Sequence, residues 1–120
     1  MSILKTDVVE TSSGGATTLT NQSAVKAHVN FNGGDVTDIR AGSLNISSVT
    51  DSATGKYVPN FANSFSSVPS ATGGMTVTNY PGTMRVNPAT GSCQIFCSQS
   101  YSSNYLDSTD TSIHCVGDLA

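Results

Sequence analysis

The side chains best suited to metal binding or covalent catalysis lie towards the C-terminus, and they are Cys93, Cys97, His114 and Cys115. Cys93 and Cys97 bound an alternating segment, and four residues of strand span ~13 Å, whereas a disulfide needs Cα atoms within ~7 Å. His114 and Cys115 are adjacent, so in a strand they point to opposite faces, and the set lacks the paired spacings of zinc sites. We predict buried thiols and no catalytic, cofactor or metal site. A hydrolase that uses Cys97 or Cys115 with His114 is the enzymatic alternative.

Two carboxylate pairs are the other candidates for chemistry. Asp35 with Asp38, and Asp107 with Asp110, could supply oxygen ligands to calcium. Neither pair has the ligand spacing of an EF-hand loop, and aspartate is common in turns because its side chain bonds to nearby backbone. We predict that these residues form turns.

A polar segment near the C-terminus has the composition of a binding loop. It contains Tyr101, Asn104, Tyr105 and Asp107. Amphipathic rings beside adaptable polar side chains suit binding surfaces, including sugar recognition by stacking. We predict a binding loop here. The alternative is that the tyrosines cover one end of the fold.

The strongest structural pattern is residues 24–33, which alternate between apolar and polar side chains before an Asn-Gly turn signal. The apolar positions are Val25, Ala27, Val29 and Phe31. The polar positions are Lys26, His28 and Asn30. This alternation predicts a strand with one buried face, and it places His28 on the other face as a solvent or interface residue.

Similar short segments recur along the chain with turn signals every eight to twelve residues. Further strands are predicted over residues 36–39, 44–49, 57–61, 75–80, 83–86, 93–97 and 112–116. We expect a hairpin loop over 50–56, and an edge strand or bulge at Pro59, which lacks an amide hydrogen. Phe61 and Phe65 are expected to anchor a crossing loop rather than a helix. The pattern predicts an all-β fold, a single antiparallel β-sandwich of Ig-like or jelly-roll-like type.

The N-terminal segment differs in composition from the rest. Residues 1–15 combine a short alternating stretch with a Ser-Gly hinge, which predicts an extended arm ahead of a sandwich domain over residues 16–120. Such an arm, with Leu4 and Val8 on one face, is suited to reaching a neighbouring subunit or an attachment site. A frayed terminus is the alternative.

Composition restricts the partners. The 120-residue chain is 37% hydrophobic and only 11% charged, with a net charge of −3 and no Lys/Arg cluster, which argues against nucleic-acid binding. No apolar run is long enough for membrane insertion, and no signal peptide is evident, so we expect synthesis in a cytoplasm. So few charges on a small domain favour close packing against further copies of the chain.

Several blocks of the sequence resemble, in order, the small β-sandwich modules of tail-fibre and other virion structural proteins of tailed bacteriophages, especially those that infect cyanobacteria and other aquatic bacteria. The first is residues 24–33, similar to an Ala-Trp-Val-Asn-Phe-Asn-Gly block in which His28 replaces the usual aromatic residue. An Ile-Arg pair at 39–40, an Asn-Ile-Ser-Ser-Val-Thr-Asp block at 45–51 and a Tyr-x-x-Asn-Phe strand at 57–61 follow. The arm and hinge at 4–15 are also similar.

The resemblance implies a bacteriophage virion structural protein with no enzymatic activity. It implies a homotrimeric tail-fibre or adhesin module in host attachment, with other virion proteins as partners and assembly in the host cytoplasm before lysis. With this resemblance, the receptor-contact loop is expected at Tyr101, Asn104, Tyr105 and Asp107, with a host-surface glycan as one partner. The side chains expected to contact a neighbouring subunit or the virion are Leu4, Val8 and His28. A capsid decoration (cement) protein on the phage head is the alternative.

Overall fold

The computed structural model describes residues 12–13, 24–40, 42–76, 82–99 and 104–120. Eight strands lie in these ranges: β1 (Val25–Asn32), β2 (Asp35–Ile39), β3 (Ile46–Ala53), β4 (Lys56–Phe61), β5 (Ser70–Thr76), β6 (Gly82–Pro88), β7 (Cys93–Gln99) and β8 (Asp110–Val116). The predicted arm, with Leu4 and Val8, lies outside the described residues, as does Tyr101.

The strands form two antiparallel sheets of four that pack face to face. One sheet has the order β2-β1-β8-β5 and is called here the β1 sheet; the other has the order β3-β4-β7-β6 and is called the β7 sheet. The predicted all-β antiparallel sandwich is therefore confirmed. Period-2 alternation is the reason, because each strand gives one face to the shared core and the other to the outside.

The core is built from the inward positions of both sheets. The side chains that are at least 98% buried include Ala27, Val29, Phe31, Tyr57, Phe65, Cys93, Ile95, Cys97, Ile113 and Cys115. Fully burying side chains of this size stabilises a fold by about 1.5–3 kcal/mol each. The edge-to-face contact of Phe31 on β1 with Tyr57 on β4, with ring centroids 5.2 Å apart, joins the two sheets.

The opening strand needs one correction, at Val25. Ala27, Val29 and Phe31 are buried as predicted, but Val25 is 39% exposed. The register between β1 and β8 shifts between Val25 and Ala27, so Lys26 is an extra residue and Val25 pairs with Val116. Because a one-residue bulge reverses the alternation beyond it, Val25 falls on the outer face.

Two predictions around the β3–β4 hairpin are wrong. The connecting turn is only Thr54-Gly55, shorter than the expected loop over 50–56, because β3 continues to Ala53. Leu44 does not share a strand with Ile46; its amide and carbonyl both bond to His28 of β1, at 2.9 and 3.0 Å. Asn45, at φ 55°, then turns the chain from one sheet into the other.

Pro59 lies on an inner strand, so the edge-strand prediction is also wrong. β4 lies between β3 and β7. The amide of Phe61 donates to the Gly91 carbonyl at the β7 side, and because amide directions alternate along a strand, the Pro59 nitrogen faces that side too. β4 pairs with β7 at Lys56 and Tyr57, and the pairing then stops until a single bridge at Asn60. Pro59 therefore sits where this pairing is interrupted.

The remaining boundaries differ modestly. β5 starts at Ser70 rather than at 75, and residues 77–80 of that predicted strand lie outside the described residues. The predicted crossing loop is confirmed: Phe61 and Phe65 pack edge to face with centroids 5.0 Å apart, and Phe65 is 2% exposed. These rings close one end of the sandwich.

Candidate functional site

The described part of the predicted receptor-contact loop, residues 104–109, folds back along the end of β7. The Gln99 amide donates to the Asn104 carbonyl at 3.1 Å, and the Leu106 amide donates to the Cys97 carbonyl at 3.2 Å. Tyr105 forms an antiparallel bridge with Ser98. Tyr105 therefore occupies a position next to the outer face of the β7 sheet.

Asp107 is tied to the body of the sandwich. Its Oδ1 accepts a hydrogen bond from the Tyr57 hydroxyl at 2.7 Å and another from the Gly55 amide at 2.8 Å. Burial, and then the hydrogen bond with this carboxylate, raise the pKa of Tyr57. This carboxylate oxygen therefore holds the loop to the β3–β4 hairpin.

Two glycines make this close approach possible. A Cβ at Gly33 would collide with the Tyr57 hydroxyl and would lie 2.5 Å from the Ser108 carbonyl oxygen. A Cβ at Gly55 would lie 2.6 Å from the Cys97 carbonyl oxygen. Since real side chains do not approach backbone this closely, both turns need glycine to let the loop pack down.

Tyr105 lies at the surface, unlike the buried Tyr57 to which Asp107 is bonded. It is 42% exposed, and its ring packs beside half-buried side chains of the β7 sheet. The Lys56 Nζ lies 4.4 Å from the centroid of the Tyr105 ring. The Phe96 ring lies 6.2 Å away at a tilt of 45°. Tyr105 is thus part of a mixed aromatic and basic surface.

Register explains how that surface forms. Phe96 of β7 is directly opposite Lys56 of β4 on one side and Arg85 of β6 on the other. Residues directly opposite each other share a face, and the Arg85 guanidinium carbon lies 4.3 Å from the centroid of the Phe96 ring. We call these four residues, Lys56, Arg85, Phe96 and Tyr105, the cation–aromatic surface.

A shallow groove of about 230 Å³ lies within the cation–aromatic surface. Its lining consists of Thr83, Met84, Arg85, Phe96, Ser98 and Tyr105. Thr83 and Ser98 join their hydroxyls by a hydrogen bond of 2.9 Å at its floor. The groove is open to solvent and combines one cationic, two aromatic and two hydroxyl side chains.

Neither cation of this surface has an acidic partner among the residues that the structure describes. Arg40, by contrast, bonds to the Asp110 carboxylate at 3.2 Å and to the Thr109 carbonyl at 3.2 Å. Lys56 and Arg85 instead lie over aromatic rings, which hold a cation without neutralising it. The surface is therefore a local concentration of positive charge on a chain whose net charge is −3.

Sequence reasoning identified Tyr105 but not its neighbours. The alternation of residues 93–97 already indicated that Phe96 faces away from the core. The positions of Arg85 and Lys56 beside it depend on strand order and register, which a single sequence does not reveal. The available signal was weak: Arg85 lies within the predicted strand 83–86, whereas Lys56 was expected in the hairpin loop over 50–56.

The cysteines lie where the alternation predicted. Cys93, Cys97 and Cys115 are free, fully buried thiols. Burial raises the pKa of the Cys97 thiol to about 11, and the hydrogen bond with Cys93, with burial, raises the pKa of Cys115. His114 is exposed on the opposite face of β8, so it faces away from both thiols named in the hydrolase alternative.

His28 lies on the other side of the molecule, on the outer face of the β1 sheet. It is opposite His114 in the register, and the two imidazole centroids are 5.9 Å apart. The structure therefore separates His28 from the loop at 104–109.

The prediction that the paired aspartates form turns is wrong for three of them, because Asp35 and Asp38 lie in β2 and Asp110 begins β8. Asp35 accepts hydrogen bonds from the Thr37 hydroxyl and amide at 2.6 and 3.1 Å, and these bonds lower its pKa. Asp107 bonds to Tyr57 and Gly55, whereas Asp110 pairs with Arg40. Within the described ranges, no three His, Cys, Asp or Glu side chains converge as a metal site would require.

The same ranges contain no helix long and apolar enough to span a membrane.

Comparison of the chain with protein-family models, with curated proteins and with solved structures found no match.

Proposed function

We propose that the protein is a bacteriophage virion structural protein, a homotrimeric tail-fibre or adhesin module that contributes to host-surface attachment. The observation that carries the proposal is the cation–aromatic surface, in which Lys56, Arg85 and Phe96 on the outer face of the β7 sheet lie beside Tyr105 of the expected receptor-contact loop. Binding residues on a rigid scaffold lose little conformational freedom when a ligand arrives.

The order of the sequence blocks supports the virion assignment. The blocks that resemble phage modules correspond to β1, the end of β2, most of β3 and β4. They therefore occupy consecutive strands and the turns between them, where a module family would share its scaffold. The four residues of the cation–aromatic surface all lie outside these blocks.

The outer face of the β1 sheet supports self-association. Besides the His28–His114 pair, β5 and β8 present small side chains there, including Thr72, Gly74 and Ser112. Small side chains on a sheet face allow another protein to approach the sheet closely. We assign this face to subunit contacts in the trimer.

The same face favours capsid decoration as the second candidate, since cement proteins also pack small domains closely against neighbours. Binding of the purified protein to phage heads that lack it would support this second function. Such binding without any binding to host cells would favour it over attachment.

The test of the proposed function is adsorption to cells of the host of the encoding phage. We expect purified protein to bind these cells and to slow adsorption of the phage by competition. Cells selected for resistance to the phage through loss of surface polysaccharide provide the matched control, and they should not bind. Equal binding to both cell types, or to neither, would contradict the attachment role.

A further inference from the structure

The cation–aromatic surface has the chemistry of an anion site. Its two cations lie over aromatic rings, with Lys56 Nζ 4.4 Å from the Tyr105 centroid and the Arg85 guanidinium carbon 4.3 Å from the Phe96 centroid. A ring restrains the long side chain but leaves its N–H donors unsatisfied. Neither cation has a carboxylate partner among the described residues, so both are available to a ligand.

We propose that this surface binds the carboxylate groups of an acidic polysaccharide, that is, a chain of uronic acid residues. The inference rests on the proposed attachment function and names the class of receptor that the site would take. The planar guanidinium of Arg85 can donate two parallel hydrogen bonds to a planar carboxylate. Lys56 lies on the opposite side of Phe96 from Arg85. Its ammonium group can bind the next carboxylate along the polysaccharide.

The residues around the cations suit a sugar rather than a bare anion. Thr83 and Ser98 bring two hydroxyls to the groove, and Gln94 and Asn87 form the adjacent cross-strand pair. Hydroxyl and amide groups both donate and accept hydrogen bonds, which matches the hydroxyls of a pyranose. The exposed Tyr105 ring adds an apolar surface for the C–H face of the sugar.

The charge balance favours an acidic polysaccharide over single-stranded nucleic acid. Nucleic-acid grooves follow a phosphate backbone with a series of cations, whereas this surface has two. A uronic acid chain also presents the hydroxyls and C–H faces that the hydroxyl, amide and aromatic side chains around the two cations can contact.

The experiment measures binding of the full chain to polygalacturonate by isothermal titration calorimetry, with fully methyl-esterified polygalacturonate as the matched ligand. The ester keeps the sugar backbone and removes the charge. We expect binding to the acid and at least tenfold weaker binding to the ester. Arg85→Gln should weaken binding to the acid at least tenfold, and Lys56→Gln at least threefold. Lys26→Gln, which removes the same charge from β1 in the other sheet, should change it less than twofold.

Several outcomes would overturn the proposal. These are equal binding of acid and ester, no binding of either, an Arg85→Gln variant that binds as Lys26→Gln does, and tighter binding to an oligothymidylate than to polygalacturonate. Circular dichroism of each variant shows that the sandwich is intact. If the protein adsorbs to host cells but Arg85→Gln adsorbs equally well, attachment stands and this site is wrong; if the protein adsorbs to no host cell, attachment itself fails.

Discussion

Tyr57 is the residue that joins the core to the loop beside the proposed site. Its ring is fully buried against Phe31, and its hydroxyl donates to Asp107 at 2.7 Å. Removing a donor to a charged acceptor typically costs about 1.5–3 kcal/mol. We therefore predict that Tyr57→Phe lowers the free energy of unfolding by about 2 kcal/mol in urea titrations.

The matched control for that prediction is Tyr105→Phe. The Tyr105 ring is exposed, and its interactions are with the Lys56 ammonium and the Phe96 ring rather than through its hydroxyl. Its effect on the free energy of unfolding should stay within about 0.5 kcal/mol. Equal losses in the two variants would show that Asp107 does not hold the loop through Tyr57.

The buried Cys97 thiol makes stability depend on alkaline pH. Burial raises its pKa from an ordinary 9.0 to about 11, so folding favours the protonated form. The stabilisation is complete below pH 9 and is lost as pH rises from 9 towards 11, at up to about 1.4 kcal/mol per pH unit. The unfolding free energy of the reduced protein should fall more steeply across this range than that of Cys97→Ala. Parallel pH curves for the two proteins would contradict this assignment.

Side-chain direction was the property best predicted from the sequence at this scale. Alternation put Cys93, Ile95 and Cys97 in the core and separated Cys115 from His114, because period 2 is fixed by strand geometry. It misplaced Val25, because a bulge at Lys26 depends on the partner strand β8. Asp107 was expected at a receptor surface, and the carboxylate oxygen Oδ1 bonds to groups fifty residues away that no local pattern identifies.

Among the structural elements, the β3–β4 turn determines how closely the loop at residues 104–109 approaches the hairpin. Gly55 has φ 65°, and a Cβ there would lie 2.6 Å from the Cys97 carbonyl oxygen and 2.7 Å from the Leu106 amide nitrogen. Gly55→Ala should therefore add a backbone collision to conformational strain. We predict a loss of about 3 kcal/mol or more in the free energy of unfolding.

The variant Gly42→Ala distinguishes conformational strain from backbone collision. Gly42 has φ 93°, but a Cβ there would meet nothing within 4 Å. Strain alone should cost about 1–2 kcal/mol. If Gly55→Ala is no worse than Gly42→Ala in thermal and urea unfolding, the loop does not pack on the hairpin as described.

Strand existence was predictable, whereas pairing was not. Within the described residues, the predicted alternating segments lie in strands, which is why the sandwich could be predicted. Hairpin length, the inner place of β4 and the neighbours of Phe96 all depend on register between distant segments. The proposed site is assembled from three strands and a loop, so only Tyr105, which has binding chemistry of its own, was found in advance.

For the whole molecule, we predict self-association through the outer face of the β1 sheet. Sedimentation equilibrium should give a mass near three times 12.3 kDa. His114→Glu places an acid on that face beside His28 and should shift the protein towards monomer. Arg85→Glu introduces the same charge on the outer face of the β7 sheet and should remain trimeric. A wild-type protein that sediments at 12.3 kDa, or equal dissociation of both variants, would contradict this arrangement.

The most direct test of the proposed attachment role is where the protein lies in a phage particle and in how many copies. Quantitative mass spectrometry of purified virions, combined with antibody labelling in electron microscopy, measures both copy number and position. We expect a few tens of copies or fewer, in multiples of three, at the tail or its fibres. Labelling of the head with on the order of hundreds of copies would assign the protein to capsid decoration. Its absence from the particle would contradict a virion role altogether.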